Sequence, residues 1–307
     1  MWCESKLQEK VLSTVPFRFK HIHNCPAVAI LPQSYNFTAP IIQCMEDSFG
    51  HNAFDTFVVP GFSSKLFKES KTVLETLDLA YKKHFIEEII IFQHTDFHNN
   101  GYSSRFSSAT EEDCYHKNGL ISSLKMLRKR YPNLNVRLVY VRLIDEQREM
   151  EFSEIFECGR ERVRMIAPYK FKGVLGCDVA VIMCLDFRFR KESRACVRDS
   201  LKISNFDLIG IPGATKSFLE NAKVAWKAVK VAYEKHNCRR FIVIHHMDCG
   251  AYGGSIAFLD AFTEESYHYD QMCYFEEKLL EQYRDVRVER IFARLIDSPT
   301  KIQFIQY

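Results

Sequence analysis

Short runs of consecutive apolar residues alternate along this chain with longer stretches in which apolar positions recur every three or four residues. Ala27–Leu31 and Val179–Met183 are unbroken apolar runs, too short for helices and suited to strands buried on both faces. Thr56–Val59 and Leu208–Ile211 follow, each ending at a Pro-Gly pair, Pro60-Gly61 and Pro212-Gly213, which stops a strand in a turn. Lys65–His84 and Ser217–His236 have the helical period, and the apolar runs Glu88–Phe92 and Arg240–Ile244 come next. Glu111–Tyr131 and Thr263–Tyr283 predict a second long helix, and Val136–Leu143 and Val288–Leu295 a last strand. Strands alternating with helices predict an α/β fold with a mostly parallel sheet flanked by helices. In such sheets, sites form at the carboxyl ends of strands.

Every one of these elements occurs twice, 152 residues apart. Pro16-Phe-Arg-Phe-Lys20 matches Pro168-Tyr-Lys-Phe-Lys172, Phe54-Asp55 matches Phe206-Asp207, and Arg142-Leu-Ile-Asp145 matches Arg294-Leu-Ile-Asp297. Between 16–145 and 168–297 the register never shifts, and 35 of the 130 positions are identical. An internal duplication explains this, and it divides the chain into repeats over 1–150 and 151–307. Residues 146–167, rich in Glu and Arg, are expected to form a connecting helical arm, by analogy with 4–14. The basic residues from Lys125 to Arg130 alternate with apolar ones and predict a solvated helix face.

Composition narrows the class without naming a function. The 307 residues are 47% hydrophobic and 26% charged, which is globular. Forty-two Lys and Arg against 39 Asp and Glu leave a charge of +3, which argues for neither a nucleic-acid nor an anionic-membrane partner. No apolar run has the length of a membrane span, and Met1-Trp-Cys-Glu-Ser-Lys lacks the order of a signal peptide. The expected setting is therefore soluble and cytoplasmic. Eleven cysteines are an odd number with no Cys-x-x-Cys pair, against a disulfide framework, a zinc ribbon or a thioredoxin-like motif. Most are expected to be buried small hydrophobes.

Three cysteine and histidine positions stand apart. The first strand of the second repeat runs into Cys184-Leu-Asp186-Phe-Arg188, and its third into His245-His246-Met-Asp-Cys249-Gly250. Both lie at strand carboxyl ends, so Cys184, His246 and Cys249 can converge. Two thiolates and an imidazole suit zinc, with a fourth position left over. Gly-Ala-Tyr-Gly-Gly-Ser after Cys249 is expected to open a helix whose free amides favour the Cys249 thiolate.

Cys-x-Asp-x-Arg after one strand and His-x-x-Cys-Gly after a later one resemble the signature of the β-class carbonic anhydrases. The resemblance spans most of 168–297, and 16–145 shares it through the repeat. It implies one zinc ion held by Cys184, His246 and Cys249, with Asp186 and Arg188 as the catalytic dyad. It also implies reversible hydration of carbon dioxide to bicarbonate by a metal-bound hydroxide. Zinc acidifies its water, Asp186 accepts the hydroxide's hydrogen bond, and Arg188 holds Asp186 off the metal. Two thiolates neutralise the metal's charge, so activity is expected to rise toward alkaline pH. Because that family pairs its protomers near their sites, the tandem chain resembles such a dimer made covalent, an intramolecular pseudo-dimer, and leaves room for a homodimer of pseudo-dimers. The expected partner is the small-molecule substrate, carbon dioxide or bicarbonate.

The chain departs from the family in places. Ile211-Pro212-Gly213-Ala214-Thr215-Lys216 stands where Arg-Asn-Ala-Gly is usual, Leu175 stands near where a substrate-orienting Gln is sought, and His245 replaces a small residue. Carbonyl sulfide or carbon disulfide hydrolysis on the same site, and a non-catalytic zinc protein serving assembly, are the competing readings. The bland readings are a closed zinc site or metal-free buried thiols, a packed His245, a structural role for Asp248 and Asp96, and a core Tyr252. In the first repeat, Pro32, Ser34 and Asn36 occupy the register of Cys184, Asp186 and Arg188, and Phe97 that of Cys249. His94 persists, but one ligand holds no zinc. His94-Thr-Asp96-Phe-His98 is a candidate for another metal site. The first repeat is expected to supply wall residues to the surviving site, with His21 and His23 as proton relays or plain surface histidines. Cutting the chain near residue 150 is expected to leave 151–307 inactive or poorly soluble.

Overall fold

A computed structural model describes residues 9–19, 24–60, 71–95, 103–169, 176–220 and 223–307. The apolar runs become the centres of two six-stranded sheets. In the first, β2 (Ala27–Pro32) lies between β3 (Asp55–Val59) and β4 (Glu88–His94), β5 (Asn135–Ile144) follows β4, and all these pairings are parallel. The second repeats the plan with β8 (Val179–Cys184) between β9 (Asp207–Ile211) and β10 (Arg240–His246), and β11 (Arg287–Ile296) beyond. Every residue of β2 and of β8 is buried, as expected for strands covered on both faces.

The outer strands correct the sequence reading. Residues 146–167 are not a helical arm: β6 (Glu149–Ile155) and β7 (Glu161–Pro168) form an antiparallel hairpin continuing the first sheet. In Glu149-Met-Glu-Phe152 the polar and apolar residues alternate, with Met150 and Phe152 buried, the two-residue period of a strand. Where 4–14 was expected to be a similar arm, β1 (Lys10–Pro16) is a strand. It pairs antiparallel with β12 (Lys301–Gln306), which itself pairs with β11. The orders are β3-β2-β4-β5-β6-β7 and β9-β8-β10-β11-β12-β1, so each sheet takes its last strand from across residue 150.

Helices cover the sheets: α1 (Tyr35–Asp47), α2 (Lys71–Lys83) and α3 (Ala109–Arg130), then α4 (Phe187–Ala195) running into a π turn (Cys196–Ser200). After β9 come α5 (Lys216–Leu219), α6 (Lys223–Glu234) and α7 (Ala261–Gln282). The expected helix Ser217–His236 is thus two pieces, and the start of Lys65–His84 lies outside the described residues. Lys125, Arg128, Lys129 and Arg130 on α3 are exposed, as their pattern predicted. α3 and α7 begin alike: Ser108 accepts from the Glu111 amide and Asp260 from the Thr263 amide, N-caps that satisfy otherwise orphaned donors.

The sheets meet edge to edge at β3 and β9. The Thr56 amide donates to the Leu185 carbonyl at 3.3 Å, and a Cβ on Gly210 would stand 2.6 Å from the Thr56 carbonyl oxygen. Only a residue without a side chain allows that approach. Among the described residues no helix is long and apolar enough to cross a membrane.

Candidate metal centre

β8 ends at Cys184 and β10 at His246, parallel neighbours whose carboxyl ends open on the same side. The turn after β10 brings back Cys249. These three buried residues each place a ligand atom within 4.8 Å of the others. Among the described residues they are the one such cluster of His, Cys, Asp and Glu. The two sulfurs are 3.8 Å apart, close to the separation that two bonds of about 2.3 Å take at a tetrahedral angle. His246 Nδ1 donates to the Met247 carbonyl at 2.8 Å, and its buried Nε2 has no hydrogen-bond partner. With Nδ1 donating, a neutral His246 carries its lone pair on Nε2, the arrangement of a metal-binding imidazole. The donor set thus fits a thiophilic divalent ion.

The thiols share their protons unequally. Cys184 is held well below its usual value, first by the hydrogen bond from Cys249, with His246 helping against burial. The Gly213 amide also donates to its sulfur at 3.3 Å. Cys249 moves well above its usual value because it gives that hydrogen bond to Cys184 and is itself buried. The expected helix after Cys249 is absent. Two 3₁₀ turns, Gly250–Tyr252 and Ser255–Ala257, take its place, with Gly253 and Gly254 at φ 95° and 72° between them. No α-helix therefore begins behind the Cys249 sulfur.

Asp186 and Arg188 lie beside the triad at the start of α4. Asp186 is the N-cap and its Oδ1 accepts from the Arg188 amide at 3.0 Å. The Arg188 guanidinium grips the same carboxylate through Nε at 3.0 Å and Nη2 at 2.7 Å. Burial works to raise the Asp186 carboxyl, but the Arg188 hydrogen bonds and charge outweigh it and hold it well below the carboxylate range. Its Oδ2 is 4.0 Å from His246 Nε2, close to the ligand position and already engaged by arginine. Arg188 is anchored in turn by Asp248, whose Oδ2 accepts from Nη1 and whose carbonyl accepts from Nη2, both at 2.8 Å. Asp248 also accepts from the Ser255 amide at 3.0 Å. The structural role expected for Asp248 is thus joined by a direct hold on Arg188, which its place one residue before Cys249 was the only hint of.

Other candidates fall into place around this centre. His245 is no part of the metal cluster: its Nε2 meets Thr215 Oγ1 at 2.9 Å and its Nδ1 meets His268 Nδ1 at 2.9 Å. The Tyr252 hydroxyl is 3.4 Å from the same Thr215 oxygen. Phe189 stacks on His246 with centroids 4.1 Å apart. The first half reaches this centre through Phe17, 5.4 Å from Phe189, and Phe19, whose ring lies 5.2 Å from the Arg188 guanidinium carbon. In the first half itself, His94 stacks on Phe37 at 3.9 Å and is pushed down to about 3 by burial, a neutral packed histidine. His21, His23, Asp96, Phe97, His98 and Leu175 lie outside the described residues.

Residues 176–305 match the model of a protein family described as "Putative carbonic anhydrase". The match contains Cys184, Asp186, Arg188, His246 and Cys249, so this part of the chain is carbonic-anhydrase-like. An uncharacterized protein of Rickettsia conorii is 27% identical over 77 residues, covering 24% of this chain and 41% of its own length. Another from Rickettsia bellii is 27% identical over 82 residues, covering 25% and 50%. The chain thus spans half or less of the length of these curated relatives.

Proposed function

We propose that this protein is a zinc-dependent carbonic anhydrase of the β class, catalysing reversible hydration of carbon dioxide to bicarbonate and a proton. The observation that carries the reading is the buried Cys184–His246–Cys249 cluster with an arginine-held aspartate 4.0 Å from the imidazole nitrogen. Two thiolates and one neutral imidazole are a donor set for zinc, with a fourth position for a small molecule. Zinc bound there would act as a Lewis acid, making water a nucleophile near neutral pH.

The chain's own part is orientation. As a carboxylate fixed by Arg188, Asp186 can only accept hydrogen bonds. It would therefore accept a hydrogen bond at Oδ2 from the attacking water and orient that water's lone pair toward the carbon of carbon dioxide. Arg188 keeps that carboxylate charged and withdrawn from the ligand cluster; Asp248 keeps Arg188 in place. The loop Ile211–Lys216 spends its polar groups internally, Gly213 on the Cys184 sulfur and Thr215 on His245. Ile211 and Ala214 in the same loop are buried apolar residues. This loop, altered from the family's polar pattern, makes carbonyl sulfide and carbon disulfide the competing substrates, separated from carbon dioxide by assaying for sulfide release.

The matching strand order of the two sheets under a shift of 152 residues supports reading the chain as two β-carbonic-anhydrase-like repeats forming an intramolecular pseudo-dimer. Only the second repeat carries the zinc ligands. Isotope exchange between labelled carbon dioxide and water, on protein of measured zinc content, tests the reading: exchange should scale with zinc and vanish in Cys184→Ser. Zinc-loaded protein without exchange would leave the zinc a structural ion.

A further inference from the structure

The first half does not carry the ligand set, yet Asp55 and its partner His84 are buried there. Asp55 Oδ2 meets His84 Nδ1 at 2.5 Å. Its other oxygen crosses to the second half, where Oδ1 accepts from the Phe187 amide at 3.2 Å. Phe187 follows Asp186 directly and is the first residue of α4. The first amides of a helix have no partner inside it. Here the Arg188 amide is taken by the Asp186 side chain, whereas the Phe187 amide is taken by Asp55, 132 residues away in sequence. The neighbouring Thr56 amide holds the Leu185 carbonyl. Two adjacent residues of β3 thus fix the backbone on either side of Asp186.

The mirror-image position has the same pair put to another use. Asp207 Oδ2 meets His236 Nδ1 at 2.7 Å, but it also accepts from the Gln33 side chain at 2.7 Å, and its Oδ1 has no hydrogen-bond partner. Ser34, at the register of Asp186, makes no side-chain cap. Among the described residues, a carboxylate from the opposite half takes a backbone amide at the helix start only beside the metal cluster.

We propose that Asp55, steadied by His84, is a positioning residue for the second half's centre, setting where Asp186 and Arg188 stand relative to the ligand cluster. This rests on the function proposed above, but the clamp can be read without it. The test uses the full chain and compares Asp55→Ala, Asp55→Asn and the mirror control Asp207→Asn. The readouts are zinc content, hydrogen exchange at the Phe187 amide, and kcat and KM for hydration. Asp55→Ala should keep its zinc and KM, lose Phe187 protection, and lose kcat by about ten- to a hundredfold, the scale of a small misplacement of a reacting group. Asp55→Asn, which retains an accepting oxygen, should restore most of both, and Asp207→Asn should match the parent. If Asp55→Ala does not fold, Asp55→Leu with His84→Phe replaces both buried partners by apolar groups, a change that can be nearly neutral for stability, and should show the same losses. Parent-like Phe187 protection in the folded variant, parent-like kcat, or an Asn variant as impaired as Ala would overturn the proposal. A parent chain without hydration activity would sink the proposed function alone, because exchange at Phe187 would still decide the clamp.

Discussion

Asp186 survives as a buried carboxylate because the Arg188 guanidinium grips it through Nε and Nη2 and Asp248 holds Arg188 from the other side. Arg188→Ala removes the middle member and strands a buried charge, so about 3–5 kcal/mol of stability should be lost. Arg188→Lys should recover little activity, since an ammonium cannot make the paired contact. Denaturant titration with zinc analysis checks this; an Arg188→Ala protein as stable as the parent would show that the pair is weaker than its geometry indicates. At this scale the convergence of Cys184, His246 and Cys249 was legible, because Cys184 and His246 close apolar strands and Cys249 follows three residues after the second. Asp55 was not legible as part of the centre: it lies 129 residues before Cys184, and only the meeting of two strand edges brings it there.

The seam between β3 and β9 depends on Gly210. Gly210→Ala drives a Cβ to 2.6 Å from a backbone oxygen that cannot rotate away, so a loss of about 1–3 kcal/mol is expected. Gly119→Ala on α3 meets nothing within 4 Å and should instead gain about 0.5–1 kcal/mol. Melting temperatures that move in opposite directions bear this out; a neutral Gly210→Ala would mean the sheets are not pressed together there. Elements buried on both faces, such as β2 and β8, were readable from their apolar runs. The hairpin β6–β7 was missed because its Glu and Arg content was weighed above its alternation. α4 was hidden by five charged residues, Arg188, Arg190, Lys191, Glu192 and Arg194. Arg190 is nonetheless buried, with its guanidinium carbon 3.9 Å from the centre of the Phe54 ring.

For the whole molecule, exchange of the strands β1 and β7 gives the expected failure of the isolated 151–307 fragment a cause. It would lack β1, exposing the β12 edge to other chains, and it would lack Asp55. Adding 1–150 in trans should restore solubility; a soluble, active fragment alone would contradict this. Buried histidines set the response to acid. His94 and His268 are pushed down to about 3 by burial, and burial pushes His245 well below its usual value, with His268 adding. On unfolding each takes up a proton below about pH 6.5, so stability falls as pH drops through that value. Asp55, raised to about 6 chiefly by burial, and its partner His84, raised against burial by the Asp55 carboxylate, have the opposite sign and offset part of this. Between pH 6.5 and 5.5 a loss of about 1–3 kcal/mol is expected; urea midpoints that do not move across that interval would contradict it.

The most direct measurement is stopped-flow carbon dioxide hydration on protein of known zinc content, with Cys184→Ser alongside. Zinc-dependent hydration is expected that grows toward alkaline pH, clear above about pH 8, and is absent from the mutant. Hydration that persists in Cys184→Ser, or a zinc-saturated parent that does not hydrate carbon dioxide at any pH, would contradict it.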